Sequence, residues 1–361
     1  MRDVIICTVG TSMLGSLNRH DSSIILERNP LKTAKYMRKE LEPSQQASGA
    51  EINSITSIIA DNVIQNKHGL YFLVSDTEDG EFVGQVLKQY YKDIFDEVTV
   101  ITLKGLHDQN FKDFRNRGLC NLVKETSQII KRETDRGHKP IINATGGFKA
   151  QISFAGLIGQ VLDVPVYYMF ERFSNVIEMP PMPVAFDFSL WLKNFSILHE
   201  LSKRVIIPKD DEVLSGLDPK LSILLTYDGD DVMLSAMGEL FYEGFYYRFS
   251  RGEGSKLPPT SGLDPKNKEC RLPHRGEDFK GISDHFRRIC EVDYVTRIDG
   301  FYYNPDLSSI NKFRKSSERN DCVEGWFSDG TKTAKFSVYL MSDDPLMVQS
   351  AVVDLTRRFC K

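Results

Sequence analysis

The 361-residue sequence is poor in the signals that mark several protein classes. It has no run of 18 apolar residues, so no membrane-spanning helix is expected. Its N-terminus, Met1 to Gly10, lacks the basic start and small-residue cleavage site of a secretory signal. There is no excess of positive charge: the net charge is −4, so any surface for nucleic acid must be local. Its six cysteines (Cys7, Cys120, Cys270, Cys290, Cys322 and Cys360) form no Cys-x-x-Cys pair. Neither a structural zinc site nor a disulfide framework is therefore expected, and a reducing cytoplasm fits. No Gly-x-Gly-x-x-Gly follows the first apolar run, and no Gly-x-x-x-x-Gly-Lys-Ser/Thr occurs. Internal repeats and low-complexity tracts are also lacking.

What is there is an ordinary globular composition, 41% hydrophobic and 27% charged, over a length that suits two or three domains. Short apolar runs alternate with long amphipathic stretches over the first 170 residues. The runs are Val4–Val9, Tyr71–Val74, Val98–Leu103, Pro140–Asn143 and Val164–Phe170, and Gln85–Phe95 and Asn121–Arg136 are the clearest helices between them. Runs without polar alternation imply strands buried on both faces. Strand–helix–strand alternation implies an α/β fold with a parallel, doubly wound sheet. A Pro-rich piece, Met179–Val184, ends the pattern.

Three loops carry chemistry here. Gly10, Thr11 and Ser12 follow the first strand, Ser75, Asp76 and Thr77 the second, and Asn143, Thr145, Gly146, Gly147 and Lys149 the fourth. Glycines free the backbone to approach a ligand, hydroxyls and amides offer donors, and Lys149 adds a charge at a helix start. Each loop follows a strand, so all three belong at the carboxyl edge of one sheet, where doubly wound folds bind ligands.

The Thr-Val-Gly-Thr-Ser run at 8–12 and the Asn-Ala-Thr-Gly-Gly-Phe-Lys run at 143–149 resemble the CRISPR-associated Rossmann fold (CARF) family. The resemblance implies a Rossmann-like CARF domain over residues 1–180. It implies a homodimer that binds a cyclic oligoadenylate, commonly cyclic tetra-adenylate, across its two-fold axis. Thr11 and Ser12 would then meet ribose or phosphate, Thr145, Gly146 and Gly147 would supply donors, and Lys149 would neutralise phosphate.

The second half reads differently. Residues 187–205 look helical, and Leu221–Phe245 reads as strand, Asp228-Gly229-Asp230 turn, strand, then a helix opening at Ser235. This resembles a winged-helix domain, placed at 186–250, with an acidic local sequence (Asp210, Asp211, Glu212, Asp228, Asp230, Asp231) ill suited to duplex DNA. Residues 270–361 read as a small α+β unit: helix 283–291, strand 294–298, a basic stretch at 304–319, an Asp329-Gly330 hairpin and a last helix, Asp344–Phe359. Within the stretch, Lys312, Arg314, Lys315 and Arg319 surround Phe313, with Tyr302 and Tyr303 upstream. Cations neutralise RNA phosphates and aromatic rings stack bases.

Set between helix, strand and meander, this segment resembles a RelE-type mRNA interferase. The resemblance implies metal-free cleavage in which a 2′-oxygen attacks the adjacent phosphate, with Lys312, Arg314, Lys315 and Arg319 as catalytic cations. The order CARF, winged helix, RelE-like domain resembles the CARF–RelE ribonucleases of type III CRISPR systems. It implies a ligand-activated endoribonuclease that cuts mRNA on the ribosome and needs neither cofactor nor metal. Two other readings stand beside it. A CARF–winged-helix transcription regulator predicts a recognition helix around Leu201–Leu217, and a metal-dependent nuclease would draw on Asp321 and Glu324. The only Arg-x(4–6)-His spacing, Arg132 to His138, lies inside the first domain, which disfavours a HEPN-type ribonuclease.

Overall fold

A computed structural model describes residues 2–170, 173–183, 187–203, 206–273, 280–304 and 311–360. The chain runs β1 (Val4–Thr8), α1 (Ser12–His20), α2 (Ser22–Leu26), α3 (Pro30–Glu40), α4 (Ala50–Ala60), β2 (Gly69–Ser75), α5 (Glu78–Tyr91), β3 (Glu97–Leu103), α6 (Phe111–Asp113), α7 (Leu119–Asp135), β4 (Pro140–Asn143), α8 (Lys149–Leu162), β5 (Val166–Tyr168) and β6 (Ile177–Met179). It continues through α9 (Phe188–Lys203), β7 (Ile207–Pro208), β8 (Leu225–Asp228), β9 (Asp231–Leu234), α10 (Ala236–Ser250), β10 (Glu269–Arg271), α11 (Ile282–Cys290), β11 (Val295–Asn304), β12 (Lys312–Lys315), β13 (Cys322–Ser328), β14 (Thr333–Leu340) and α12 (Pro345–Phe359). No helix among the described residues is long and apolar enough to cross a membrane.

The chain divides into two compact units. The first comprises Met1–Val184, Val205–Pro208 and Lys220–Arg248, and the second Ala185–Arg204, Lys209–Pro219 and Phe249–Lys361. The segment read as a winged-helix domain, 186–250, is thus shared between them.

In the first unit a six-stranded sheet has the order β3-β2-β1-β4-β5-β6. Its first five strands are parallel and β6 runs antiparallel at the edge. The uninterrupted apolar runs explain why. Ile5 and Cys7 of β1 enter one core with Met13, Ile52 and Val83, whereas Val4 and Ile6 enter the opposite core with Val123, Ile130 and Ile158. Helices therefore cover both faces, and the apolar residues of the central strands divide between two cores. The chain leaves β1 toward β2 on one side and returns with β4 on the other, so the topological switch lies between β1 and β4.

A three-stranded sheet, β7-β9-β8, belongs to the same unit. Gly229, at φ +63°, makes the β8–β9 turn. The helix that follows is capped as its sequence predicts: Ser235 Oγ accepts the Gly238 N–H at 3.1 Å. Residues 201–217 do not form one recognition helix. The described chain leaves α9 at Lys203, enters β7 and then a 3-10 turn, Glu212–Gly216. Pro208, which cannot donate within a helix, favours the break.

The second unit is built on a five-stranded sheet, β10-β11-β14-β13-β12. The basic stretch is not all loop: Lys312–Lys315 forms β12, paired antiparallel with β13. Alternation decides this, since buried Phe313 faces the core while its neighbours stay partly or fully exposed. Asp344 caps α12 by accepting the Leu346 and Met347 N–H groups.

Candidate functional site

The first candidate site sits at the carboxyl edge of the parallel sheet. The loops after β1 and β4 are pressed together at the switch point. A Cβ on Gly10 would stand 2.8 Å from the Gly147 nitrogen, so only glycine permits this approach. Gly147 adopts φ +104°, which glycine alone reaches without strain. Thr8 Oγ1 donates to the Gly146 carbonyl at 2.6 Å, tying β1 to the second loop. Thr11 occupies the N-cap position of α1 but makes no side-chain cap bond, and Thr11 and Ser12 are both exposed. Lys149, the first residue of α8, is exposed beside them in the fold.

Other predicted contacts are already engaged. Asn143 is fully buried and donates to Ser54 Oγ at 2.8 Å. Thr145 Oγ1 donates to Asn143 Oδ1 and accepts the Met169 N–H. Thr77 caps α5 through the Gly80 N–H and pairs with Ser75 Oγ. Asp76 accepts the Gly105 N–H at 3.0 Å and the Lys104 ammonium at 3.1 Å. The Gly105 hydrogen bond above all, with Lys104, holds its carboxyl below the usual range. These side chains shape the loops, and among the described residues Thr11, Ser12 and Lys149 stay exposed at their edge.

Sequence reasoning missed Glu51, from the first turn of α4. It is completely buried, and its Oε1 accepts the Gly10 N–H at 2.8 Å. A Cβ on Gly146 would fall 1.9 Å from that oxygen. Its Oε2 has no partner among the described residues. Burial pushes the carboxyl above its ordinary range, against the Gly10 hydrogen bond. Glu51 thus fills the space where the two glycine loops meet.

The second candidate site is the charged face of the five-stranded sheet, where Trp326 and Glu324 are buried and Arg314 is exposed. Register places Lys312 opposite Trp326 and Arg314 opposite Glu324, and Trp326 opposite Lys335. The Trp326 ring is flanked by three cations: Arg314 Cζ at 4.7 Å, Lys312 Nζ at 5.0 Å and Lys335 Nζ at 5.5 Å. Glu324 accepts from Arg314 at 2.9 Å and lies 3.3 Å from Lys335. Burial would raise the Glu324 carboxyl, but the Arg314 hydrogen bond and charge, with Lys335, hold it below its usual range. Lys312 makes no ion pair with a described residue. Beside this patch, Arg319 pairs with Asp321 through two contacts, 2.9 and 3.0 Å, and lies over Tyr339. Arg297 lies over the same ring at 4.0 Å and near Asp299.

Lys315 does not join them. One residue further along β12 than Arg314, it lines a separate cavity with Ser189, Lys193, Asp344, Leu346 and Gln349. His285 is not on the Trp326 face either. It packs among Phe313, Phe327, Phe336 and Phe359, and burial lowers it to about 4. Asp321 and Glu324, weighed as metal ligands, are each committed to cations. Tyr302 and Tyr303 have side chains outside the described residues.

Comparison with known proteins bears on the first unit. Residues 46–182 match the family model "CRISPR-associated protein (Cas_APE2256)". The match supports a CRISPR-associated protein. It spans α4 to β6, and so takes in Glu51 and the loops after β2 and β4. No curated protein sequence matches the chain. Among solved structures, the chain is similar to one titled "Crystal structure of protein VC1899 from Vibrio cholerae". That similarity has 6% identity over 80% of this chain and 74% of that one. Its TM-score of 0.24 is too low to carry an argument.

The residues brought together are Gly10, Thr11, Gly146, Gly147 and Glu51 in one unit, and Lys312, Arg314, Glu324, Trp326 and Lys335 in the other. Trp326 and Lys335 were legible in principle, since both lie on strands of period two whose polar positions share a face with Arg314. Glu51 left no local sign.

Proposed function

We propose that this chain is a cyclic-oligoadenylate-activated, ribosome-dependent mRNA endoribonuclease that inhibits translation in type III CRISPR defence. The observation that carries the reading is the cluster of Lys312, Arg314 and Lys335 around the Trp326 ring on one sheet face. Trp326 is itself buried, so it holds the cations in place, and they meet the RNA phosphates. The CRISPR-associated family match over 46–182 supplies the context for the messenger.

In this reading a cyclic oligoadenylate, taken as cyclic tetra-adenylate, lies across the two-fold axis of a cytoplasmic homodimer. It meets Thr11, Ser12, the 146–147 backbone and Lys149 from each chain. A ligand with its own two-fold symmetry presents the same groups to both protomers. In the second unit the mRNA 2′-hydroxyl gives up its proton to solvent and its oxygen bonds to the adjacent phosphorus, while the P–O5′ bond breaks and the 5′-oxygen takes up a proton from solvent. The products are a 2′,3′-cyclic phosphate and a 5′-hydroxyl. Arg314, fixed by Glu324, and Lys312 stabilise the charge that develops on the phosphorane oxygens. Preorganisation matters here because the guanidinium need not reorient as charge builds.

The test is toeprinting on translating ribosomes, with and without cyclic tetra-adenylate, in the presence of EDTA. Ligand-dependent cleavage at the A-site codon, lost in Arg314→Ala and absent on naked RNA, is the expected result. Ligand-modulated binding to promoter DNA without cleavage would instead favour a transcription regulator.

A further inference from the structure

At the amino edge of the parallel sheet, opposite the glycine loops, His68, Glu133 and His138 converge. One ring nitrogen of each histidine and a carboxylate oxygen of Glu133 all lie within 4.8 Å of one another. The residues come from distant parts of the chain: His68 precedes β2, His138 precedes β4 and Glu133 lies near the end of α7. The two imidazoles stack, with centroids 3.9 Å apart and planes inclined by 16°.

Two observations go beyond clustering. First, Glu133 is fully buried, and only one of its oxygens is used. Oε1 accepts from Tyr71, Arg132 and Arg136 at 3.0–3.1 Å, while Oε2 has no partner among the described residues. A buried carboxylate oxygen left bare is costly unless something occupies it. Second, the histidines have carboxylates behind them. Asp3 accepts the Lys139 N–H at 2.7 Å on Oδ1 and faces His138 Nδ1 at 2.9 Å on Oδ2. Asp96 Oδ2 lies 3.6 Å from His68 Nδ1. In His138 Nε2 is then the nitrogen left for a metal, whereas Asp96, at 3.6 Å, stands beyond hydrogen-bond distance of His68. Carboxylate–histidine–metal relays of this kind fix ring orientation and raise ligand basicity.

We propose that His68, Glu133 and His138 bind one divalent transition-metal ion of the zinc type, with Asp3 as the positioning residue for His138. Two imidazoles and one carboxylate suit zinc, and the partly exposed histidine side chains, at 32% and 24%, leave an entry path and a fourth position for water. Zinc–ligand bonds of about 2.0–2.1 Å place tetrahedral ligand atoms about 3.3 Å apart, so rotation of the two imidazoles closes the site. Arg132 and Arg136 oppose a cation, but Glu133, Asp3 and Asp96 outnumber them. Bound metal would clip the leading ends of β2 and β4 to α7, at the edge away from the messenger loops.

The experiment is titration of the full-length chain with Co²⁺ under reducing conditions, read by its d–d absorption, followed by displacement with Zn²⁺. One tetrahedral Co²⁺ per chain is expected in wild type and in Cys270→Ser, which removes the exposed thiol as a competing ligand. His68→Ala and His138→Ala should each abolish that spectrum while circular dichroism remains native. Asp3→Asn should weaken binding by about 10–100-fold. The proposal is overturned if wild type takes up no stoichiometric ion, or if the spectrum survives in both histidine variants.

Discussion

Single residues set the chemistry of both faces, and Glu51 shows it most directly. Its folded-state carboxyl lies above the unfolded value, so the folded chain holds a proton that the unfolded chain has released. That contribution is present below the unfolded pKa and is lost as pH rises through the folded one. Glu51→Gln keeps an acceptor for the Gly10 N–H without a charge to bury. We expect the variant to be more stable than wild type at pH 8 and indistinguishable near pH 4, by urea unfolding at both. A difference independent of pH would refute the buried-charge account. Gly146→Ala tests the same junction by shape. Its methyl would meet Glu51 Oε1 at 1.9 Å, so a loss of about 1–3 kcal/mol is expected, as for overpacked cores. Weaker binding of cyclic tetra-adenylate in calorimetry should accompany it. The glycines were legible in the sequence because their chemistry is local. Glu51 was not, because a helix some forty residues after β1 delivers it, and nothing in Ala50-Glu51-Ile52 distinguishes it from a solvated helix position.

Elements explain which parts of the site the sequence exposed. The parallel strands were readable because burial on both faces leaves unbroken apolar runs, as in Val4–Thr8, with Val4 and Ile6 in one core and Ile5 and Cys7 in the other. The basic stretch was readable as charge but not as geometry. Only as strand β12 does it divide, sending Lys312 and Arg314 to the Trp326 face and Lys315 to the cavity beside α12. Activity should follow the alternation. Lys312→Ala and Arg314→Ala should each lower ribosome-dependent cleavage by roughly 10²-fold or more, the scale of a lost transition-state donor. Lys315→Ala should stay within a few-fold of wild type in the same toeprint. Equal losses at all three would mean that the cations act through charge alone and that the face assignment is wrong. On the buried side, α11 delivers His285 into the aromatic core. Its pKa of about 4, against an ordinary 6.5, means that the unfolded chain binds more protons than the folded one between those values. Stability present above pH 6.5 is therefore lost as pH falls toward 4, by about 3 kcal/mol at most. His285→Leu should flatten that acid limb in denaturant melts taken from pH 7 to pH 4.

At the scale of the whole molecule, net charge and local charge pull apart. The chain carries −4 overall, yet one sheet face of the second unit sets Arg297, Lys312, Arg314, Arg319 and Lys335 against Asp299, Asp321 and Glu324. Each carboxylate already neutralises a cation, so few charges remain to displace counterions from RNA. If about two phosphates are neutralised, log K for single-stranded RNA should fall with log salt at a slope of only about −1.4. Under the proposed function such a surface would grip free RNA weakly, and a translating ribosome would have to present the substrate already held. Fluorescence anisotropy with labelled RNA over a range of salt concentrations measures the slope directly. A steep dependence, near −4 or beyond, would show that the protein captures naked RNA through many phosphates, and the requirement for a ribosome would lose its physical basis. The same reasoning bears on activation. A messenger bound in the first unit can raise activity only by as much as it prefers the active arrangement, and a ligand indifferent to arrangement shifts nothing however tightly it binds. If two protomers share one ring, calorimetry should return one cyclic tetra-adenylate per two chains, and reciprocity requires a substrate-bound ribosome to tighten that binding by the same factor the messenger tightens ribosome binding. One ring per chain, with no change in its affinity when ribosomes are added, would uncouple the two units and remove the sensor from control of the nuclease face.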